Sequence, residues 1–513
     1  MIRLSEDQAE AYDHITELLA SAGVNLVEGD VLPQSDSPTR TVAVLGKAGS
    51  GKTLLLAELV KALTDLGIDA VSGDYESRKR DDKRTFAVLA PTNKAASVLR
   101  NRGVPATTIH RILYTPVYDP EYERIADWLA GEAERPEVEN LTDAALDRAE
   151  AFYKSNKSMP GALAAAGLRG SDFITGWSRR ESPLDIGLID ESSMLDDAQL
   201  ADLQEIFSTL ILFGDPAQLA PVGQSGNMSF DSLPDGRKLI LERIHRQAAD
   251  NPILDLAHAL GDPDLTYDAF DALVHDVAST DERVVLAPRV DATMMARAPV
   301  LVWTNKTRIR LIHAFRSAFG APEFELLEGE PLICDGIELP VRHRKKRIDL
   351  EARGLIKGAQ VVYLGPGRKA GFARLHVMGA EDPQVNAASI IKIEAPGEEE
   401  PFIATAAQMG AAFVHGAACT IHKAQGSQWT DVQVFAPDLS AAARFGREEA
   451  GVPLWKRLAY VAITRAEERL HWITRSMLAK PTEPLSTTDL KSVTAPALNL
   501  TATAEPAADG VDP

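Results

Sequence analysis

The sequence predicts an α/β protein whose core is doubly wound parallel sheet. Three observations predict it. Apolar runs of strand length recur at Val42 to Leu45, Phe86 to Ala90, Leu184 to Ile189 and Leu210 to Phe213, with helical patterns between them. Each run closes on residues that carry chemistry: Gly46 of GKAGSGKT, Pro91 of PTNKAA, the Asp190-Glu191 pair, and Gly214-Asp215 of GDPAQ. The same alternation returns late in the chain, with strands at Val432 to Phe435 and Leu470 to Ile473 around a helix at Leu458 to Arg465. Such alternation implies parallel strands with crossover helices, and ligands then sit outside the carboxyl ends of the strands.

At 513 residues the chain exceeds what one core usually organises, so two or more domains are expected. Apolar residues at 45% and charged residues at 25% are ordinary for a globular protein. No stretch approaches the roughly 20 apolar residues of a membrane span. The opening MIRLSEDQAEAYDHI is polar and helical rather than a secretory leader, so a cytoplasmic protein with no membrane contact is expected. Cys334 and Cys419 lie too far apart for a disulfide framework or a zinc site of usual spacing, and both are expected to be reduced and structural. A net charge of −20 disfavours a polyanion globally. A local groove of cations, amides and aromatics still binds a single strand beneath an acidic outer surface.

In chain order, Leu4 to Ala20 has helical spacing, with Ser5 as N-cap and Gln8 as its capping-box partner. An irregular connection at Gly29 to Arg40 leads into the first strand and GKAGSGKT. Gly46, Gly49 and Gly51 let the backbone curl into a nest of N–H groups, followed by a helix from Leu54. This is a phosphate-binding loop, in which Ala48, Ser50 and the flanking amides cradle phosphate, Lys52 reaches the β and γ phosphates, and Thr53 offers a hydroxyl to magnesium. A charge-dense loop at Ser77 to Arg84 precedes the second strand, which runs into PTNKAASVLR and then TTIHRIL.

Residues 114–183 change character, with helical stretches such as Leu141 to Tyr153 and no phosphate chemistry, and are expected to be an inserted subdomain. Residues 1–113 and 184–236 then form the first unit, and 237–328 with 402–482 form the second. Between the two parts of the second unit, residues 329–401 read as short β segments, including KGAQVVYLG and GFARLHVMG, and suggest a small barrel. The basic run Arg342 to Arg347 in that stretch is either a solvated turn or a nucleic-acid contact. From 483 the chain is rich in Thr, Ala, Pro and Asp, and a disordered tail is expected.

The Asp190-Glu191 pair ends an apolar strand downstream of the loop, as a Walker B pair does. Magnesium takes a hard carboxylate, assigned to Asp190, and the attacking water needs a base or positioning acceptor, assigned to Glu191. Hydrolysis of a nucleoside triphosphate follows, but not what it drives.

Read in order, GKAGSGKT, APTNKAA, TTIH, LIDESSM, FGDPAQLAPV, LERIHRQ, ACTIHKAQGSQW and YVAITRA resemble the motif series of superfamily 1 helicases. Within that superfamily the chain is similar to the RecD-like and Dda-like 5′-to-3′ DNA helicases of superfamily 1B, over about Leu4 to Trp472. The resemblance implies two RecA-like domains, a wedge in the first insertion, an SH3-like barrel in the second, and a monomer driven by ATP and Mg2+. It implies single-stranded DNA and forked duplex as substrates, with a single-strand-binding, replication or recombination protein as a further partner class. Gln8 matches the adenine-reading glutamine, a role that stands beside its capping role. Gln218 matches the γ-phosphate-sensing glutamine, and Arg246 and Arg465 the arginines contributed across the cleft. Pro91, Thr92, Asn93, Lys94, Thr108 and His110, with Thr420, His422 and Lys423, match residues that hold the strand, although a lone histidine is more often structural. Trp429 is placed either to stack on a base or to be buried. No aromatic of 114–183 is singled out as the wedge. An RNA-translocating or nucleoprotein-remodelling ATPase, and a non-catalytic nucleotide-binding scaffold, are the alternative functions of such a fold.

Overall fold

The computed structural model describes residues 4–33, 40–71, 84–118, 120–137, 142–156, 162, 174–179, 183–221, 226–243, 251–338, 350–351, 353–378, 380, 383–394, 402–403, 409–481, 483–487 and 490. The Ser77 to Lys83 part of the charge-dense loop, Arg246, the basic run Arg342 to Arg347, Phe173 and the tail from 491 lie outside the described residues.

Seven strands build the first sheet: β1 (Arg40–Gly46), β2 (Asp69–Ala70), β3 (Thr85–Ala90), β4 (Ala106–Thr108), β5 (Leu184–Ile189), β6 (Phe207–Gly214) and β7 (Lys238–Leu241). The order is β7-β1-β6-β5-β3, with β2 and β4 following one another along the far edge of β3, and every pairing is parallel. β3 and β5 are buried along their whole length, because crossover helices cover both faces of a parallel sheet. Their near-continuous apolar sequences follow from that.

β8 (Val284–Ala287) and β9 (Val300–Val302) begin a second sheet. The chain then leaves it for β10 (Pro331–Glu338), β11 (Gln360–Pro366), β12 (Phe372–Val377), β13 (Gln384–Ile393) and β14 (Gly410–His415). It returns with β15 (Ala418–Thr420), β16 (Trp429–Phe435) and β17 (Ala466–Ile473). The second sheet is also parallel throughout, in the order β8-β17-β16-β9-β15. Five of the intervening strands pair in a ring, β12-β11-β10-β14-β13 and back to β12, so no edge is left within the ring, and the short strand Phe402–Ile403 pairs with the end of β13.

Two sequence boundaries move. Lys238–Leu241, assigned by sequence to the second unit, pairs with the phosphate-loop strand as an edge of the first sheet. Its four residues carry no signal for which sheet they join. Gly410–His415, likewise assigned to the second unit, belongs to the strand ring, where Phe413 is fully buried beside Leu375 and Ile391. The insertion after Leu113 contains helices Pro120–Ala130 and Asp143–Asn156 and a hairpin pairing Tyr114–Tyr118 with Ile174–Arg179. Its small apolar core includes Met409, which arrives from the end of the ring, so the two insertions share a packed cluster. Trp128, Phe152 and Tyr153 pack onto this cluster. Among the described residues no helix is long and apolar enough to cross a membrane. Cys334 and Cys419 are both buried free thiols, pushed up by burial to about 12 and about 11.

Candidate nucleotide site and strand interface

The carboxyl ends of β1, β3, β5 and β6 lie at one edge of the first sheet, and the phosphate loop, PTNKAA, Asp190-Glu191 and GDPAQ all leave from that edge. Gly46 lies where an added Cβ would meet Ser50 Oγ at 2.3 Å and Leu241 Cβ at 3.1 Å, so a side chain there would have to displace Ser50. Gly51 turns into helix α1 (Lys52–Asp65) in a left-handed conformation, with Thr53 and Leu54 half-buried in its first turn. The Lys52 ammonium donates to the Gly46 carbonyl and, at 3.0 Å, to the Lys47 carbonyl, so it lies inside the curl of the loop. Gln8 is fully buried beside it. Its Oε1 accepts the Ser5 N–H at 2.9 Å while its Nε2 donates to the Ser50 and Gly51 carbonyls, each at 3.3 Å. One side chain therefore caps its own helix and touches the loop.

The acidic residues gather around Lys52. Burial, and then the neighbouring Glu191 charge, push the Asp190 carboxyl well above its ordinary range, with Lys52 opposing the shift. Asp215 is raised by burial, with Lys52 again opposing. Glu191 takes a φ of 52°, a left-handed conformation that disfavours a side-chain residue and marks strain held in place by its surroundings. Gln218 Nε2 donates to Glu191 Oε2 at 3.0 Å.

The second unit reaches this cluster through helices α2 (Pro252–Ala259) and α3 (Leu454–Ile463). Arg457 donates to the Gln218 carbonyl at 2.7 Å, and Gln425 Nε2 to the Leu219 carbonyl at 3.2 Å. The Tyr460 hydroxyl accepts the Ala48 N–H at 2.8 Å and donates to Asp215 Oδ2 at 2.7 Å. His258 Nε2 lies 3.1 Å from the Ala48 carbonyl. Arg465 is buried, but its guanidinium donates within its own unit, to the Val461 and Ser427 carbonyls at 3.0 and 3.2 Å and to Thr464 Oγ1 at 3.1 Å. From the sequence, Tyr460, His258 and Arg457 carry no role, and Asp215 is placed only at a strand end. Tyr460 and Asp215 stand inside quoted motifs, whereas the spacing around His258 shows only an apolar helix.

The strand-holding candidates occupy two helix starts in the first unit, at Asn93–Asn101 and Ile109–Leu113, and one in the second, at Ile421–Ala424. Thr92 Oγ1 accepts the Ala95 N–H at 3.1 Å, and Thr108 Oγ1 the Arg111 N–H at 3.3 Å. Pro91, Asn93 and Lys94 are half-buried, and burial lowers the Lys94 pKa. His110 is exposed, with its ring 5.0 Å from that of Tyr114. In the second unit Thr420 and His422 are half-buried and Lys423 is exposed. Gly426 brings the two sides together, because a Cβ there would sit 3.1 Å from Thr92 Oγ1. Trp429 is buried in the core of the second unit, so it is not an exposed stacking platform.

Two family models match the chain, an AAA domain over residues 34–277 and a UvrD-like helicase C-terminal domain over residues 415–473. The chain thus carries a match to an AAA domain and, after it, a match to a UvrD-like helicase C-terminal domain. Among solved structures the chain is similar to the Pif1 helicase from Candida albicans, at 16% identity and a TM-score of 0.45, with 93% of this chain and 96% of that one covered. It is also similar to Bacteroides Pif1 bound to ssDNA, at 14% identity and a TM-score of 0.45, with 92% of each chain covered. A third similar structure is Bacteroides Pif1 in complex with ADP-AlF3 and ssDNA, at 16% identity and a TM-score of 0.42, with 94% and 95% covered. No curated protein matches the chain.

Proposed function

We propose that this protein is a superfamily 1B helicase, an ATP-driven motor that moves 5′ to 3′ along single-stranded DNA and unwinds forked duplex, and that hydrolysis takes place at the cleft between two RecA-like units. The observation that carries the proposal is the path from the hydrolytic carboxylate to the opposing unit. Glu191 accepts from Gln218, whose own backbone accepts from Arg457. Any movement of the second unit is therefore felt at the residue that would orient the attacking water.

Phosphate binds to the loop amides and the Lys52 ammonium at the helix N-terminus. The Thr53 hydroxyl and the Asp190 carboxylate are hard oxygen donors of the kind magnesium takes. Asp190 is half-buried beside a second carboxylate, so a divalent cation would relieve an unfavourable charge there. Magnesium, when bound, would neutralise phosphate charge. Glu191 then accepts the proton of the attacking water, held in orientation by Gln218. Arg246 and Arg465 are the proposed cations supplied by the second unit. Arg465 now bonds carbonyls of its own unit, so its use requires a change of rotamer as the cleft closes.

Gln8 is proposed to read adenine with the amide that now touches the loop carbonyls. Thr92, Thr108 and Thr420, with Pro91, Asn93, Lys94, His110, His422 and Lys423, are proposed to hold the strand by its phosphates, positioning it without reading sequence. Stepping needs the two units to grip the strand with different affinity in the open and closed states. The 114–183 insertion is proposed to carry the wedge, and the closed strand ring to be SH3-like. Steady-state ATPase with single-stranded DNA, with RNA of equal length and with neither tests the reading, with Lys52→Ala as control. Stimulation by DNA is the expected result. Stimulation by RNA alone, or turnover indifferent to both, would overturn it.

A further inference from the structure

Two side chains of the second unit bond both backbone groups of one residue in the phosphate loop. The Tyr460 hydroxyl accepts the Ala48 N–H, and His258 Nε2 is placed to donate to the Ala48 carbonyl. A hydroxyl has one proton, and that of Tyr460 goes to Asp215 Oδ2. Asp215 in turn donates its N–H to Ser193 Oγ at 3.0 Å, two residues from Glu191. Tyr460 is thus the shared node of the loop, the end of β6 and the Glu191 segment.

The support behind both side chains is stiff. Lys456, one turn before Tyr460 on α3, is buried, and its ammonium donates to the Asp262 and Pro263 carbonyls at 2.6 and 3.0 Å. Those carbonyls follow α2, the helix that carries His258, so the two helices reach the loop as one piece. A loop that wraps an anion must turn its peptide planes toward it. Re-aiming the planes of Ala48 breaks or drags the bonds to Tyr460 and His258, and through Tyr460 it disturbs Asp215.

We propose that Tyr460 and His258 are positioning residues that transmit the state of the phosphate loop to the second unit, so that nucleotide at the loop changes the affinity for a single strand. The inference rests on the proposed function and adds the residues that couple its two sites. Coupling between sites is a ratio of affinities, measured equally well from either side.

The test is titration of a labelled single-stranded oligothymidine, with and without a non-hydrolysable ATP analogue and Mg2+. The ratio of the two Kd values is the coupling factor. Tyr460→Phe keeps the ring and removes the hydroxyl, and is expected to move that factor at least about fivefold toward one, within the usual span of allosteric coupling. His258→Gln is a second variant, with the same direction expected, and decides the matter should the first fail to fold. If both Kd values shift equally and the ratio stays at that of the unmodified protein, the side chains are structural only and the inference is overturned. Absence of strand binding by the unmodified protein would instead overturn the proposed function itself, and a nucleotide-independent affinity in it would overturn the coupling.

Discussion

Gln218 donates its side-chain amide to Glu191 across 3.0 Å, from a loop that Arg457 of the opposing unit holds by its backbone. Replacing Gln218 with Ala removes a hydrogen bond to a charged group, worth about 1.5–3 kcal/mol. Turnover is then expected to fall about 10- to 100-fold. The KM for ATP should change far less, because the lost bond orients the reaction rather than the ground state. Steady-state kinetics decide the point, and a rise in KM at unchanged kcat would make Gln218 a binding residue instead.

Asp190 predicts a trade between stability and function. Burial and Glu191 raise its folded pKa above the unfolded value of about 3.9. The folded state then binds the proton more tightly, so its stabilising contribution is full below the unfolded pKa and is lost as pH rises through the raised one. Asp190→Asn carries no charge to desolvate. It should raise the Tm of nucleotide-free protein at pH 8, with a smaller gain at pH 5, while abolishing turnover. Calorimetry at both pH values checks this, and a lower Tm at pH 8 would contradict it.

Glu330 ties the strand ring to the second unit. Its Oε2 accepts from Arg316 at 3.1 Å and from His415 at 2.8 Å, its Oε1 accepts the Leu327 N–H at 2.8 Å, and all three side chains are buried. Burial pushes the Glu330 carboxyl up, but His415, Leu327 and Arg316 together hold it below its ordinary range. Glu330→Gln leaves Arg316 buried without its counter-charge, at a cost of about 3–5 kcal/mol. Denaturant unfolding should show that loss at pH 7. The gap between the two proteins should narrow in acid, because a depressed carboxylate contributes stability that is lost as pH falls through its folded pKa.

Gly426 has a φ of 71° and faces Thr92 across the cleft. Gly426→Ala adds left-handed strain of about 1–2 kcal/mol and pushes against Thr92. Affinity for a single strand should weaken several-fold while nucleotide affinity holds, as parallel titrations with oligonucleotide and a fluorescent nucleotide would show. Equal weakening of both would make the glycine a general packing residue.

Much of this site was legible because its chemistry sits at strand ends. Val42 to Leu45 and Leu184 to Ile189 read as buried parallel strands, and the residues just after them had to lie at one edge of the sheet. Contacts across the cleft were less legible. His258 lies 210 positions from Ala48 and Tyr460 lies 412, and neither local spacing nor residue type marks a hydrogen bond over such separations. Lys238–Leu241 and Gly410–His415 were misplaced for a related reason, since a short strand does not announce which sheet it joins. Trp429 stood undecided between stacking and burial until its neighbours in the core were seen.

Unwinding of a forked duplex that carries only a 5′ tail or only a 3′ tail, with ATP and Mg2+ and with Lys52→Ala alongside, tests the central claim most directly. The account predicts strand separation from the 5′-tailed fork, none from the 3′-tailed fork, and none with Lys52→Ala. Unwinding from the 3′ tail alone, or no ATP-dependent separation from either, would contradict it.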